Sequence, residues 1–159
     1  GTYPLPEAQL DRFMFNLYLD YPTYQEELAI VKATTGNNEI TLNPIITIEE
    51  ILFFQKLIRN IPITDHILEY AVKLTNKTRP NREFAGKMVN EYITWGAGPR
   101  ASQNLILAAK AHAALNGKFA PDVEDIRTVA IPILHHRMVR NYKAEAEGIG
   151  MEKIIESLF

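Results

Sequence analysis

The sequence predicts a mainly α-helical chain, and three observations carry that prediction. Thr23 with Glu26, and Thr47 with Glu50, have the spacing of capping boxes ahead of apolar-periodic runs. Pro99 opens an alanine- and leucine-rich stretch that stops at Asn116 and Gly117. Only residues 14–21 alternate with the period of a strand.

Each element follows in order. Pro6 suits the first turn of a short helix within residues 5–13, LPEAQLDRF, where its missing donor costs nothing. Leu10 and Phe13 share a face of that helix, and Arg12 points away from it. In the strand, Phe13, Phe15, Leu17 and Leu19 alternate with Met14, Asn16, Tyr18 and Asp20, and Pro22 ends it. A lone strand is not stable in water, so this one wants a sheet that the remaining sequence does not supply. Thr23 then opens a helix that Gly36 closes, and residues 37–44 form a polar connection. Thr47 starts a helix over residues 48–60 with Ile51, Leu52, Phe54, Leu57 and Ile58 in one apolar stripe. Thr64 or Asp65 caps another, with Ile67, Leu68, Ala71, Val72 and Leu74 inward. Residues 75–82, which include Pro80, read as loop, while residues 83–94 fit either a short helix or an extended run toward Trp95. Trp95 reads as a core anchor. Asp122 with Asp125 begins a helix that Pro132 kinks or breaks before residues 133–139, and a last helix covers residues 151–159. The boundary falls near residues 21–23: residues 1–22 hold a helix and strand without a sheet, and residues 23–159 a self-sufficient helical bundle.

Composition narrows the function. Hydrophobic residues make up 47% and charged residues 23%, as in a soluble globular chain. A net charge of −2 argues against a large polyanionic partner but leaves room for one local basic site. Cysteine is absent, which excludes disulfides and thiolate chemistry and fits a reducing, cytoplasmic setting. No apolar run approaches bilayer length, and no signal peptide opens the sequence. The first residue is Gly1 rather than Met, so the expectation is part of a longer protein.

Two arginines stand out. Arg12 lies in LPEAQLDRF and Arg100 in WGAGPRAS, residues 95–102. A guanidinium is a planar fork suited to phosphate oxygens. Two of them without any glycine-rich phosphate loop suggest a chain that completes a nucleotide site held elsewhere. Arg100 follows Gly96, Gly98 and Pro99 into a helix start, where a cation opposes the helix dipole by about 0.3–1 kcal/mol. Free backbone donors act in the same direction, and both favour a nearby anion. The plainer reading pairs Arg100 with a surface carboxylate such as Glu91. For Arg12 the plainer reading is a local ion pair with Asp11 worth about 0–1 kcal/mol. The functional reading is an arginine finger, an effect of roughly 10³–10⁵ in rate where it operates.

Other residues read more simply. His135 and His136 are adjacent and diverge by about 100° on a helix, whereas zinc ligands on one helix want spacings of three or four. His66 and His112 are isolated and fit packed or solvent-facing roles. Glu7 complements a helix dipole, or reads a subunit boundary. Arg137, Arg140 and Lys143, near Tyr142, form a basic cluster that reads as a solvated face; nucleic acid needs a wider stripe.

LPEAQLDRF, the strand after it and YPTYQEEL (residues 21–28) resemble the end of the ATPase core of the MoxR family of AAA+ proteins. The resemblance continues through WGAGPRASQNLILAAKAHAALNGK (residues 95–118) and PDVEDIRTVAIPILHHRMVRNYKAEAEGI (residues 121–149), and is weaker over residues 37–94. It implies an arginine-finger role for Arg12 and a sensor 2 role for Arg100. It also implies that residues 1–22 end an AAA+ ATPase core and residues 23–159 form its helical lid domain. The implied setting is a homo-oligomeric ring that hydrolyses ATP with Mg2+, chaperone-like or engaged in maturation. The implied partners are the N-terminal ATPase core of the same protein, neighbouring subunits and von Willebrand factor A proteins.

The sequence departs from the family at one point. Neither a Walker A loop nor a Walker B acidic pair is present, and the asparagine on the strand before the finger helix would precede Gly1. These residues alone should not hydrolyse ATP, whereas the full protein should. Two other classes remain open. A stand-alone helical interaction module requires residues 14–20 to be paired or buried within the chain. A nucleic-acid-binding helical module, as in helicase and initiator lids, predicts salt-sensitive DNA binding that depends on Arg137 and Arg140.

Overall fold

A computed structural model describes residue 3, residues 5–36 and residues 42–159. Pro4 and most of the expected polar connection, residues 37–41, lie outside the described residues. The fold is mainly helical. In order come α1 (Glu7–Leu10), α2 (Tyr24–Thr34), α3 (Ile48–Asn60), α4 (Asp65–Lys77), α5 (Lys87–Tyr92), β1 (Ile93–Trp95), α6 (Pro99–Leu115) and α7 (Val123–Leu134). A 3-10 turn (His135–Arg137), β2 (Val139–Arg140), α8 (Tyr142–Ala146) and α9 (Met151–Glu156) complete it.

Local capping chemistry fixes the helix starts. Thr23 Oγ1 accepts from Glu26 N at 3.4 Å, and Glu26 returns a bond to Thr23 N at 2.8 Å. Thr47 and Glu50 repeat the exchange at 3.2 and 2.8 Å, and Asp122 and Asp125 form a third reciprocal pair. Each such cap is worth about 1 kcal/mol. Gly117 adopts a φ of +72° just beyond α6, in the left-handed region that glycine enters without steric cost. The ambiguous residues 83–94 resolve into both readings, the short α5 leading into β1.

The core lies among α4, α6, α7 and α9. Leu74, Leu105, Ile126, Ile133, Leu134, Ile154 and Ile155 are buried side chains of this cluster. Each contributes about 1.5–3 kcal/mol by leaving water. Ala101, Ala108, Ala109 and Ala113 form the small buried face of α6, which lets neighbouring helices approach closely.

Several expectations change here. The segment 14–21 joins no sheet; its ties to the bundle are Arg137 Nη1 donating to Met14 O at 3.3 Å and Asn16 N donating to Pro132 O at 2.8 Å. Leu17 and Leu19 are 75% and 91% exposed, so the segment is neither paired nor buried as a stand-alone module requires. The described sheet is instead β1 with β2, antiparallel, Ile93 opposite Arg140 and Trp95 opposite Val139. Trp95 is 69% exposed and is not a core anchor. The α3 stripe is largely uncovered, with Ile51, Leu52, Phe54 and Leu57 exposed, and Leu68 and Val72 of α4 also face outward. Pro132 does not break α7 at once. It sits two residues from the helix end, and the chain passes into the 3-10 turn only at His135.

One close approach sets the entry to α6. Thr78 Oγ1 accepts from Ala97 N at 2.9 Å, and Arg79 Nε donates to Ala97 O at 2.9 Å. This presses Gly96 onto the end of α4, where an added Cβ would lie 2.3 Å from Thr78 O. Gly96→Ala is therefore expected to cost about 1–3 kcal/mol, read as a lower urea midpoint, whereas Gly98→Ala, with open space around its Cβ, should shift it far less.

Candidate functional site

Arg12 and Arg100 are carried by two elements that converge on one carboxylate. α1 ends at Leu10, so Arg12 sits in the following turn rather than on the helix as expected. Its guanidinium is exposed, lies 5.1 Å over the Phe13 ring, and has no ion-pair partner among the described residues. The expected bond between Asp11 and Arg12 does not form. Asp11 instead accepts from Arg100 Nη1 at 3.0 Å and from Arg137 Nε at 3.1 Å.

Arg100 occupies the first turn of α6, as the sequence predicts. Gly98 precedes it as N-cap, so no side chain caps this helix start and competes with an anion there. The Arg100 side chain is half exposed. Glu91, the carboxylate expected to hold it, pairs with Lys143 instead. That bond is the main cause holding the Glu91 carboxyl below its ordinary value.

Arg137 is the residue that sequence reasoning misplaced. Read as part of a solvated basic face, it is buried, its side chain 1% exposed. Its other donors reach the carbonyls of Asp11 at 2.8 Å, Met14 at 3.3 Å, Phe13 and Ile133. A buried guanidinium is tolerated only when paired and fully bonded, and this one is. Burial pushes it below the usual arginine value, while the Asp11 charge raises it again. The one sequence signal was its setting, a cation inside the apolar run from Ile131 to Val139. Arg140 donates to Ile149 O at 2.9 Å and Lys143 pairs with Glu91, so the three do not form one solvated basic face.

The histidines take separate roles. His135 meets Glu152 at 3.1 Å, and His112 Nδ1 meets the buried Asp125 at 2.7 Å. His66 faces solvent. His136 Nε2 donates to Phe13 O at 3.0 Å in the neutral tautomer, while its Nδ1 is buried without a partner. A cleft of about 340 Å³ opens beside this cluster, lined by Glu7, Asp11, Trp95, Gly98, His136 and Arg137. Glu7 of α1 and the glycine turn before Arg100 thus face the same space.

Comparison with known proteins bears on the fold. Residues 85–158 match the AAA lid domain. The uncharacterized protein YeaC of Bacillus subtilis is 38% identical over 159 residues, 99% of this chain and 47% of that protein. The chaperone MoxR1 of Mycobacterium tuberculosis is 32% identical over 155 residues, 98% of this chain and 41% of that protein. A crystal structure from Cytophaga hutchinsonii, provisionally described as an ATPase, superposes with a TM-score of 0.88 at 38% identity, covering 99% of this chain and 48% of that one. The chain spans about half the length of the curated relatives it matches. Residues 85–158 thus carry an AAA lid domain, and the chain is similar over nearly its whole length to MoxR-type AAA+ proteins. Among the described residues no helix is long and apolar enough to cross a membrane.

The cluster has a pH signature. Burial is the first cause lowering the His136 value, opposed by the Phe13 carbonyl and reinforced by Arg137. The folded value lies below the unfolded one of about 6.5, so the unfolded chain binds the extra proton. Stability is full above that value and declines as pH falls below it. The unfolding midpoint should drop on acidification, and His136→Gln should flatten the drop.

Proposed function

We propose that this chain completes an ATP site in an oligomeric ring. Arg12 acts as an arginine finger on the γ-phosphate bound by the neighbouring subunit. Arg100 acts as sensor 2, contacting nucleotide phosphates and coupling their presence to lid position. The observation that carries this reading is the contrast between the two exposed guanidinium groups and the fixed frame beneath them. Arg12 has no ion-pair partner among the described residues, and Arg100 has only the half-exposed bond to Asp11. Exposed pairs of that kind are worth about 0–1 kcal/mol and yield readily to a phosphate.

The residues fit phosphate oxygens: two guanidinium groups and an uncapped helix start are anion-binding groups. ATP supplies the transferable phosphoryl group, and Mg2+ its charge neutralisation. Both would be cradled by a P-loop and a magnesium-binding carboxylate that lie in the N-terminal ATPase core, outside this sequence. Arg12 contributes charge stabilisation as the bond to the leaving oxygen stretches. Arg100 responds to whether phosphates are present, which shifts the lid only if nucleotide binds one orientation more tightly than another. The likeness to the MoxR1 chaperone supports a chaperone-like or maturation role, with von Willebrand factor A proteins as the proposed partner class and the cytoplasm as the setting.

In the complete protein, Arg12→Ala should lower ATP turnover by roughly 10³-fold or more while ATP binding persists. Arg100→Ala should impair turnover or nucleotide-dependent assembly. Steady-state ATPase rates beside binding of a fluorescent ATP analogue check both, and wild-type rates in the two variants would sink the assignment.

A further inference from the structure

We infer that Arg137 is the positioning residue for Arg12, fastening the finger-bearing turn to the lid so that the two move as one body; this rests on the reading of Arg12 proposed above. The destination of the Arg137 fork carries the inference. Nε goes to the Asp11 carboxylate, and the remaining donors go to the carbonyls of Asp11, Phe13, Met14 and Ile133. Three of those carbonyls flank Arg12 in the chain, and the fourth belongs to α7. Arg12 makes no hydrogen bond or ion pair among the described residues and rests only on the ring of adjacent Phe13, so the backbone of this turn sets where its guanidinium reaches.

That backbone has little else to hold it. α1 stops at Leu10, and the segment after Met14 joins no strand. The turn keeps two local bonds, Asp11 N to Glu7 O at 3.0 Å and Phe13 N to Leu10 O at 3.1 Å, and one from His136 to Phe13 O at 3.0 Å, the last arising from the same 3-10 turn as Arg137. Asp11 completes the device by dividing its oxygens: Oδ1 faces buried Arg137 and Oδ2 faces half-exposed Arg100. When a phosphate draws Arg100 away, Asp11 stays with Arg137 and the turn keeps its place. Lysine offers a point charge in place of the fork and cannot bridge the same acceptors. A displacement of 1 Å at a reacting centre can cost roughly 10²-fold in rate.

The test uses the complete ring-forming protein with its P-loop. Arg137→Lys is expected to lower kcat by at least about tenfold while leaving the KM for ATP and the binding of a fluorescent ATP analogue near wild type. A faulty finger harms the neighbouring site rather than its own. Mixing Arg137→Lys subunits with subunits altered at the P-loop lysine, each slow alone, should therefore restore turnover, and Arg12→Ala should behave the same way. Wild-type kcat in Arg137→Lys, or mixed rings as slow as Arg137→Lys alone, overturns the inference. Wild-type kcat in Arg12→Ala overturns the underlying finger reading instead. Should Arg137→Lys lose its helical circular dichroism, Asp11→Asn decides by the same mixing: a slowed kcat that mixing restores supports the inference, and a wild-type or unrestored kcat overturns it.

Discussion

The ion pair between buried Arg137 and half-buried Asp11 is the interaction on which the arrangement of the N-terminal turn depends. A guanidinium withdrawn from water is costly unless every donor finds an acceptor, and here the acceptors are backbone carbonyls on both sides of the Arg12 turn. Removing one partner of such a pair typically costs about 3–5 kcal/mol, because the other charge is left stranded. The N-terminal turn adheres to the bundle largely through this one side chain. Met14 packs against the core beside it, and Asn16 adds a single backbone bond.

Magnitudes separate the two partners of Asp11. The exposed bond to Arg100 lies in the range of about 0–1 kcal/mol, whereas withdrawing Asp11 from Arg137 would strand a guanidinium whose side chain is buried, a loss that typically costs about 3–5 kcal/mol. One carboxylate can therefore hold its own turn firmly and release Arg100 easily. The frame under Arg100 is equally firm. Gly96 rests on the end of α4, Thr78 and Arg79 bond both sides of Ala97, and α6 begins two residues later. Stiff backbone with loosely held charge at its tip is the combination that a group meant to meet a phosphate requires.

The other half of the described chain is built differently. No residue of α2 or α3 is buried, so their helicity comes from capping boxes and local propensity rather than from the core. Lys110, reaching Arg59 O at 3.1 Å, ties the end of α3 to α6 and satisfies one of its last carbonyls. The exposed apolar side chains of α3, Phe53 and Leu52 among them, stand beyond this tie. Their stripe shows that apolar periodicity marks a face needing cover without naming what covers it.

The sequence by itself determined the helix starts at Tyr24, Ile48, Pro99 and Val123, the left-handed stop at Gly117, and Arg100 in a first turn. Each of these is decided within about four residues, by a side chain bonding its own helix end or by a glycine freed from Cβ repulsion. The motif resemblance added the AAA+ lid. Only the tertiary structure decided that Arg137 is buried, that Asp11 chooses Arg100 and Arg137 over Arg12, that Trp95 stands in solvent, and that β1 pairs with β2. Those outcomes join residues as far as 126 positions apart, and the free energy that selects them is desolvation in a shared interior. Local pattern carries no record of that interior, because it exists only once the distant segments have met.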